Sequence, residues 1–394
     1  MKPHASLTAP YVKLDNLRPQ ARMDAYVPCW CGSGKKWKFC HKDREKQQPR
    51  EIGEMMAKMH VELQQGYCSH PDAGSSCSAK IIRSHTVQRA VGLGAVAENG
   101  HVLSGKAGLT KIYERKGAIE PESVGVKSAS TFNGFCGLHD STMFRPVETG
   151  QPSLSTENVF LLAFRALAYE LYVKQAALRS IDIQREMDFG LPFEHQALVQ
   201  THLHTFEQGL QKGVSELLDW KRKYDDAYLR SDWKQFAFYA VQFDQVLPVA
   251  AAGAFQPEVD FHGQQLQWLV GDAELDHIVF NLTVLNGNTV AMFAWLGERD
   301  GPAAQLVNSF VRIPDNEKSA AVIHLAFEHL ENTFIKPSWW AGLPEDARNL
   351  TLRLIRSGIG DPDADRHSES LAHRPVKFSD AKVLSVSADS QLAT

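Results

Sequence analysis

Apolar positions recur at helical spacing in the middle of the chain and form nearly unbroken runs further on. From residue 155 a Ser/Thr–Glu start signal leads into a stripe of apolar residues three and four positions apart, and 194–229 repeat this spacing. These stretches predict two long helices. Shorter helical patterns follow at 302–312, 316–333 and around 343–357.

Beyond residue 233 the pattern changes to long apolar runs typical of buried strands. The runs are FAFYAVQFDQVLPVAAAGAF, QLQWLV and HIVFNLTVLNGNTVAMFAWL, and the Asn-Gly-Asn within the last of them predicts a hairpin turn. Residues 66–148 contain shorter extended stretches, with a second Asn-Gly turn signal at 99–100. Helices and strands in separate blocks predict an α+β fold.

Overall composition is ordinary for a globular protein of this length. The chain has 394 residues, of which 43% are hydrophobic and 22% charged, with a formal net charge of −4. A protein of this charge does not bind polyanions through bulk charge, so any surface for nucleic acid or an acidic partner must be local. No stretch approaches the roughly 18 apolar residues of a membrane span, and the N-terminus has no apolar signal-peptide core, so we expect a cytoplasmic location and no membrane partner.

Cysteine placement is far from uniform. Three of the six cysteines lie within PCWCGSGKKWKFCH, residues 28–41. In a reducing compartment clustered cysteines are expected to be metal ligands or catalytic groups rather than disulfides. Three thiolates and one imidazole form a shell that Zn²⁺ prefers, with no open position for catalysis. The predicted ligands of this structural zinc site are Cys29, Cys31, Cys40 and His41.

The same stretch resembles the SEC-C motif, whose pattern is Cys-x-Cys-Gly-Ser-Gly-Lys-Lys-aromatic-Lys-x-Cys-Cys/His. Trp37 stands where the motif usually has Tyr. The resemblance implies that Gly32, Ser33, Gly34, Lys35 and Lys36 form the turn between the two ligand pairs. In the preprotein translocase motor this motif binds an export chaperone and the ribosome, so the resemblance implies a zinc knuckle used for docking.

Basic residues surround these ligands. Lys35, Lys36 and Lys38 lie within the motif, and residues 35–50 carry seven basic against two acidic side chains, a net charge of +5. We expect this knuckle to contact an acidic protein surface or the phosphate backbone of a nucleic acid. The alternative is a solvated basic face with nothing bound.

The remaining cysteines lie in a second region rich in histidine. Cys136 and His139 have good chelate spacing, and eight residues separate Cys68 from Cys77. These four residues predict a second zinc site. The alternative is a pair of buried free cysteines with a set of hydrogen-bonded histidines.

The order of elements in this region resembles HNH-type treble-clef nucleases. His85 follows a strand-like run, and Asp140 follows the second ligand pair at the start of a helix. The resemblance implies His85 as general base, with Asp140, and His101 or Asn99, holding a catalytic Mg²⁺ in a nuclease that would act against foreign DNA. His85 as a zinc ligand or a core histidine, in a treble clef kept as a scaffold, remains open.

The expected organisation follows from these patterns. It comprises a flexible arm (1–25), a SEC-C zinc knuckle (26–50), a treble-clef-like Cys/His region (51–150), a helical region (151–232), an α+β domain (233–358) and a disordered tail (359–394). The leading functional hypothesis is a zinc-binding interaction module; the alternative is the HNH-like nuclease.

Overall fold

The computed structural model describes residues 16–78, 80–105, 120–149, 152–269, 273–358 and 371–389. These residues form two compact units. The first joins the segment ending at Gln65 to Leu171–Leu218 and a short piece ending at Glu274. The second joins Gly66–Glu170, Asp219–Leu269 and the residues from Leu275 onward.

Both classes of secondary structure are present, as the sequence predicts. The helices are α1 (Ile52–Gln64), α2 (Gly94–Val96), α3 (Gly137–Met143), α4 (Arg145–Glu148), α5 (Thr156–Gln184), α6 (Phe193–Arg230), α7 (Pro302–Val311), α8 (Asp315–His329), α9 (Pro337–Gly342) and α10 (Glu345–Gly358). The strands are β1 (Ile81–His85), β2 (His101–Ser104), β3 (Glu122–Gly125), β4 (Thr131–Cys136), β5 (Phe236–Phe243), β6 (Val249–Phe255), β7 (Ile278–Leu285), β8 (Asn288–Leu296), β9 (Thr333–Ile335) and β10 (Val383–Ala388). A π-helical turn at Arg89–Leu93 leads into α2, and 3₁₀ turns occur at Trp37–Phe39, Arg44–Lys46 and Arg185–Asp188.

The first unit is built on the ends of the two long helices. Ile181 of α5 packs with Leu203 and Leu210 of α6 in a small apolar cluster. The 3₁₀ turn Arg185–Asp188 follows α5 directly and leads toward α6. The residues of the Cys/His knuckle pack against the start of α6 through Phe193. This arrangement places the turn after α5 beside the knuckle.

The second unit is centred on an eight-stranded antiparallel sheet of order β10-β5-β8-β7-β6-β9-β2-β3. Buried residues of α7, α8 and α10 share one apolar core with alternate residues of the central strands. On the opposite face Phe160 of α5 packs against Phe236 of β5 at 5.2 Å between ring centroids. All eight residues of β7 are therefore buried, which explains why its sequence is an apolar run rather than an alternation.

The Asn-Gly-Asn prediction of a hairpin is confirmed. Asn286 (φ 53°) and Gly287 (φ 86°) lie between β7 and β8, which pair antiparallel. Positive φ at both central residues is the requirement of the tight turn that matches strand twist.

A two-stranded sheet of β1 and β4 forms the second Cys/His region. The strands pair antiparallel, with Ile81 opposite Cys136, and α3 begins at the residue after β4. A ligand-bearing loop, an antiparallel pair of strands and a helix make up this region. Strands β2 and β3, which lie between β1 and β4 in the chain, join the eight-stranded sheet instead. The expected region 51–150 therefore contributes to more than one part of the fold.

The expectation of a disordered tail over 359–394 is wrong for residues 371–389. Leu371, Phe378 and Ala381 are buried in the main core, and β10 pairs with β5 at one edge of the sheet. The polar composition of the tail concealed a short run of mostly apolar residues, which pairs with a strand about 140 positions earlier. Residues 359–370 and 390–394 lie outside the described residues.

Two other expected boundaries also differ. Leu17 and Met23 pack against the knuckle, so residues 16–25 of the expected flexible arm are folded against it, while 1–15 lie outside the described residues. The expected helical region 151–232 is divided between the two units, because α5 and α6 each contribute to both. Helices of 29 and 38 residues are long enough for their two ends to meet different partners.

Candidate metal centres

The structure brings together the four predicted ligands of the knuckle. Nδ1 of His41 lies 3.3 Å from Sγ of Cys29 and 3.2 Å from Sγ of Cys40. Sγ of Cys31 and Sγ of Cys40 are 3.5 Å apart. Around a tetrahedral zinc ion with bonds of about 2.3 Å to sulfur and about 2.0 Å to nitrogen, neighbouring ligand atoms lie about 3.5 to 3.8 Å apart. The donor set and its spacing therefore fit such an ion.

Glycine shapes the turn between the two ligand pairs. Gly32 (φ 77°) and Gly34 (φ 71°) adopt the left-handed conformation that side chains disfavour. A Cβ atom on Gly32 would also approach Nδ1 of His204 to 3.1 Å. Between them, Ser33 Oγ lies 3.1 Å from Sγ of Cys31 and 3.4 Å from Sγ of Cys40, where its hydroxyl can donate to a thiolate. The Gly-Ser-Gly sequence thus places a donor against the sulfur atoms.

A carboxylate outside the motif orients the histidine ligand. Asp188, which is fully buried, lies 147 positions beyond His41, and its Oδ2 is 3.0 Å from Nε2 of that ring. A proton on Nε2 leaves Nδ1 free to face the sulfur atoms, the usual arrangement of a metal-bound histidine with an outer carboxylate. Gln200 also donates to Asp188 (2.8 Å), and Arg44 pairs with it at 2.5 Å.

Arg185 connects the knuckle to the same turn. Its guanidinium donates to the carbonyl of Cys31 at 3.0 Å and to Gln200 at 2.8 Å. Its other nitrogen pairs with Glu207 at 2.6 Å. No sequence signal indicates these outer residues, because they lie far along the chain and reach the knuckle only through the fold of α5 and α6.

The thiols and the histidine of the knuckle differ in their tendency to ionise. Hydrogen bonds from Cys29 and Cys40 lower the pKa of Cys31, and hydrogen bonds with Cys31 and Cys40 raise the pKa of Cys29. Burial lowers the pKa of His41, but hydrogen bonds to Asp188 and Cys31 outweigh burial and raise it to about 10. Metal binding must therefore displace protons from thiols and from His41.

The second Cys/His group also converges. Nδ1 of His139 lies 3.3 Å from Sγ of Cys68, 3.6 Å from Sγ of Cys77 and 3.4 Å from Sγ of Cys136. Cys136 ends β4 and caps α3, where its sulfur accepts from the backbone N–H of His139. Ser76 Oγ lies 3.1 Å from Nε2 of His139. These four residues fit a second tetrahedral site of the same composition.

The two sites differ in their exposure. All four knuckle ligands are buried, whereas Cys77 is exposed and Cys68 is half-buried. The ring of His70 stacks on the ring of His139 at 3.8 Å between centroids. Burial and the neighbouring His139 lower the pKa of His70 to about 4, so this ring is neutral at pH 7. The second site is therefore the more accessible to solvent.

Two thiols of the second site have pKa values shifted in opposite directions. Burial raises the pKa of Cys68 to about 11. Burial also acts to raise the pKa of Cys136, but hydrogen bonds from His139 N–H and from Ser78 lower it to about 6. The thiol of Cys136 thus ionises before that of Cys68.

The basic residues of the knuckle fall into two sets. Arg44 is neutralised by Asp188, Lys46 pairs with Asp43 at 2.7 Å, and Arg50 pairs with Glu186 at 3.1 Å. The other four lysines form no ion pair within the described residues: Lys35, Lys36, Lys38 and Lys42. The outward-facing charge is therefore smaller than the expected +5 for residues 35–50.

The structure does not bring the predicted nuclease residues together. His85 is half-buried, and its Nε2 lies 3.1 Å from the carbonyl of Val126. Asp140 instead accepts a hydrogen bond from Ser84, whose side chain points to the opposite face of β1 because side chains alternate along a strand. Burial lowers the pKa of His85.

The other predicted nuclease residues lie on a different sheet. Asn99 lies in the turn that leads into β2, and His101 is the first residue of β2; Nδ1 of His101 lies 2.9 Å from the carbonyl of Asn99. Among the described residues, neither His85 nor Asp140 belongs to a group that could hold a metal ion.

Three cysteines and one histidine in a buried, four-ligand group form a candidate metal-binding knuckle. Comparison with protein families matches residues 27–43 to the SEC-C motif, and these residues include all four knuckle ligands. The chain therefore carries a SEC-C motif. The match is confined to the knuckle and does not extend to the second Cys/His group.

No curated protein and no solved structure matches the chain. Among the described residues, no helix combines the length and the apolar character that crossing a membrane requires.

Proposed function

We propose that the chain binds zinc at both Cys/His groups and uses the SEC-C knuckle to dock on a negatively charged macromolecule. Three sulfur ligands and one nitrogen favour Zn²⁺ over the hard cations Mg²⁺ and Ca²⁺, which prefer oxygen. The outer carboxylate on His41 supports this assignment, because Asp188 fixes the ring in the tautomer that a metal needs. Grouping of all six free cysteines in two ligand sets supports a reducing compartment such as the cytoplasm.

A closed ligand shell supports recognition rather than catalysis. Each group already supplies four protein ligands, so a zinc ion in it has no position left for a substrate or an activated water. Zinc at these sites would supply folding free energy and hold the surrounding backbone in one conformation.

Four lysines that form no ion pair with any residue that the structure describes are the observation that carries the docking function. Lys35 and Lys36 are exposed on the strand-like segment that follows the Gly-Ser-Gly turn, and Lys38 lies in the 3₁₀ turn beside Cys40. Their positions depend on the ligand shell, because Cys29 N–H bonds to the carbonyl of Lys35 at 2.8 Å. Zinc is thereby expected to create a local positive surface on a chain of net charge −4.

Retention on a heparin column tests this function, because heparin is a polyanion that contains neither a polypeptide nor nucleobases and therefore reports binding to negative charge alone. The zinc-loaded wild type should elute at higher salt than a variant with Lys35, Lys36, Lys38 and Lys42 replaced by Gln. Cys31→Ser should elute early as well, since it removes a ligand and leaves all four lysines in place. Lys127→Gln, an exposed lysine outside the knuckle, is the control and should elute with the wild type.

Equal elution of the wild type and the four-lysine variant would contradict docking through this surface. Early elution of the lysine variant with unchanged elution of Cys31→Ser would instead contradict the dependence on zinc.

A further inference from the structure

Two exposed aromatic rings lie among the knuckle lysines that have no ion-pair partner in the described part of the chain. Tyr26 is 63% exposed and Phe39 is 73% exposed. Nζ of Lys38 lies 4.0 Å from the centroid of the Tyr26 ring and 4.5 Å from the centroid of the Phe39 ring. Lys36 lies 5.7 Å from the Tyr26 ring. We call these two rings, with Lys35, Lys36, Lys38 and Lys42, the aromatic–lysine patch.

Backbone hydrogen bonds hold the patch in place beside the metal ligands. Trp37 N–H donates to the carbonyl of Val27 at 2.9 Å, and Lys38 N–H donates to the carbonyl of Ala25 at 3.1 Å. These bonds fix Tyr26 against the lysine segment, and the backbone N–H of Tyr26 also donates to Asp24 at 2.9 Å. The rings are therefore positioned by the fold of the knuckle before any partner arrives.

We infer that this patch binds a single-stranded nucleic acid, with bases stacking on Tyr26 and Phe39 and phosphates contacting the lysines. The inference rests on the proposed docking function and names the class of partner. Exposed aromatic rings interleaved with cations are what sequence-tolerant single-strand binding requires, since every base has a face that can stack and every nucleotide carries a phosphate.

The size of the patch favours this partner over an acidic protein. A stable protein–protein interface takes about 20 to 30 residues on each side. The aromatic–lysine patch has six. Binding of a short single strand needs only a few rings and cations, because each stacked base contributes independently of a large buried area.

We expect a duplex nucleic acid to bind the aromatic–lysine patch more weakly than a single strand does. In a duplex the bases stack on one another, so the two rings have no base face to contact and only the lysines contribute. The patch therefore predicts a preference for single strands over a duplex of the same length.

Fluorescence anisotropy with a labelled 12-nucleotide oligo(dT), and with oligo(U) of the same length, tests the inference on the full zinc-loaded chain. Replacing Tyr26 and Phe39 by Ala together should weaken binding at least about 25-fold, since each ring is expected to contribute roughly fivefold or more. The conservative pair Tyr26→Phe and Phe39→Tyr should bind like the wild type. Trp268→Ala removes an exposed ring outside the knuckle and is the control.

Lysine substitutions give a second readout. Lys36→Gln should lower the slope of log affinity against log salt by about 0.7, the value for one phosphate contact on a single strand. Zinc content of each variant shows that the knuckle remains assembled. Binding to either oligo(dT) or oligo(U) supports the inference, and the tighter of the two identifies the kind of strand.

Three results would overturn it. They are unchanged oligonucleotide affinity after loss of both rings, equal affinity for a duplex, and stronger binding of poly-glutamate than of the single strand. In each of these the docking function survives, provided heparin retention still depends on the lysines. Failure to bind any polyanion would overturn both the inference and the docking function.

Discussion

Replacing Asp188 by Asn removes one negative charge and leaves the side-chain volume almost unchanged at the residue that contacts the ligand His41 from outside the predicted ligand set. The wild-type carboxylate accepts from His41 and Gln200 and neutralises Arg44, and no part of it is exposed. The amide of the Asp188→Asn variant can still accept a hydrogen bond, but it has no charge to offset a buried guanidinium. We expect both the zinc affinity and the stability of the first unit to fall.

The size of each effect follows from the contacts. Loss of an outer partner of a metal ligand usually costs about 10- to 100-fold in metal affinity, or about 1.4 to 2.7 kcal/mol. Removing one partner of a buried ion pair costs about 3 to 5 kcal/mol, because the other charge stays buried without compensation. Arg44 retains hydrogen bonds to the carbonyls of Arg185 and Cys40, so we expect the lower end, about 3 kcal/mol, in the free energy of unfolding.

A chelator competition assay measures the first effect and urea unfolding the second. Glu186→Gln is the matched control, since Glu186 lies two positions away and pairs with Arg50 at the surface. Exposed pairs contribute about 0 to 1 kcal/mol, so this control should match the wild type. The reasoning is refuted if Asp188→Asn releases zinc at the same chelator concentration as Glu186→Gln.

Three further predictions concern other parts of the chain. Hydrogen peroxide should release zinc first from the second site, because Cys77 is exposed while the knuckle thiols are buried. Mass spectrometry of alkylated peptides should show that Cys40 is oxidised more slowly than Cys77, and equal rates for the two residues would contradict this. Burial raises the pKa of Tyr224, so the folded state holds the phenol proton more tightly than the unfolded chain does. The resulting stability is complete below pH about 10 and is lost as pH rises further, and Tyr224→Phe should lessen this alkaline loss in circular-dichroism titrations. Phe378→Ala should lower the free energy of unfolding of the second unit by about 3 to 5 kcal/mol, whereas a disordered tail would tolerate the change without effect.

Local features of the metal sites could be predicted from the sequence. The four knuckle ligands lie within 13 residues, and the two glycines of the Gly-Ser-Gly turn between them indicate a backbone with positive φ. The long helices and the β7–β8 hairpin could also be predicted, because helical periodicity and turn residues are signals between residues close together in the sequence.

Features that depend on distant partners could not be predicted. Asp188 supports His41 only because the turn after α5 lies beside the knuckle, and nothing in the residues around it indicates that role. Strand β10 lies in a tail of polar composition, yet it is ordered by pairing with β5. Ser84, rather than its neighbour His85, contacts Asp140, because successive side chains of β1 point to opposite faces of the strand. A shift of one residue in the register of β1 would exchange these two faces, and the sequence alone does not specify the register.

Zinc stoichiometry of the intact chain tests the central claim most directly. Native mass spectrometry should find two zinc ions per wild-type chain, and one in each of Cys31→Ser and Cys136→Ser, since each variant removes a ligand from one group only. Elution from heparin should fall with the first variant and stay unchanged with the second. A wild-type chain without zinc, or a Cys31→Ser variant that keeps both ions and its heparin retention, would contradict the account of a zinc-built docking surface.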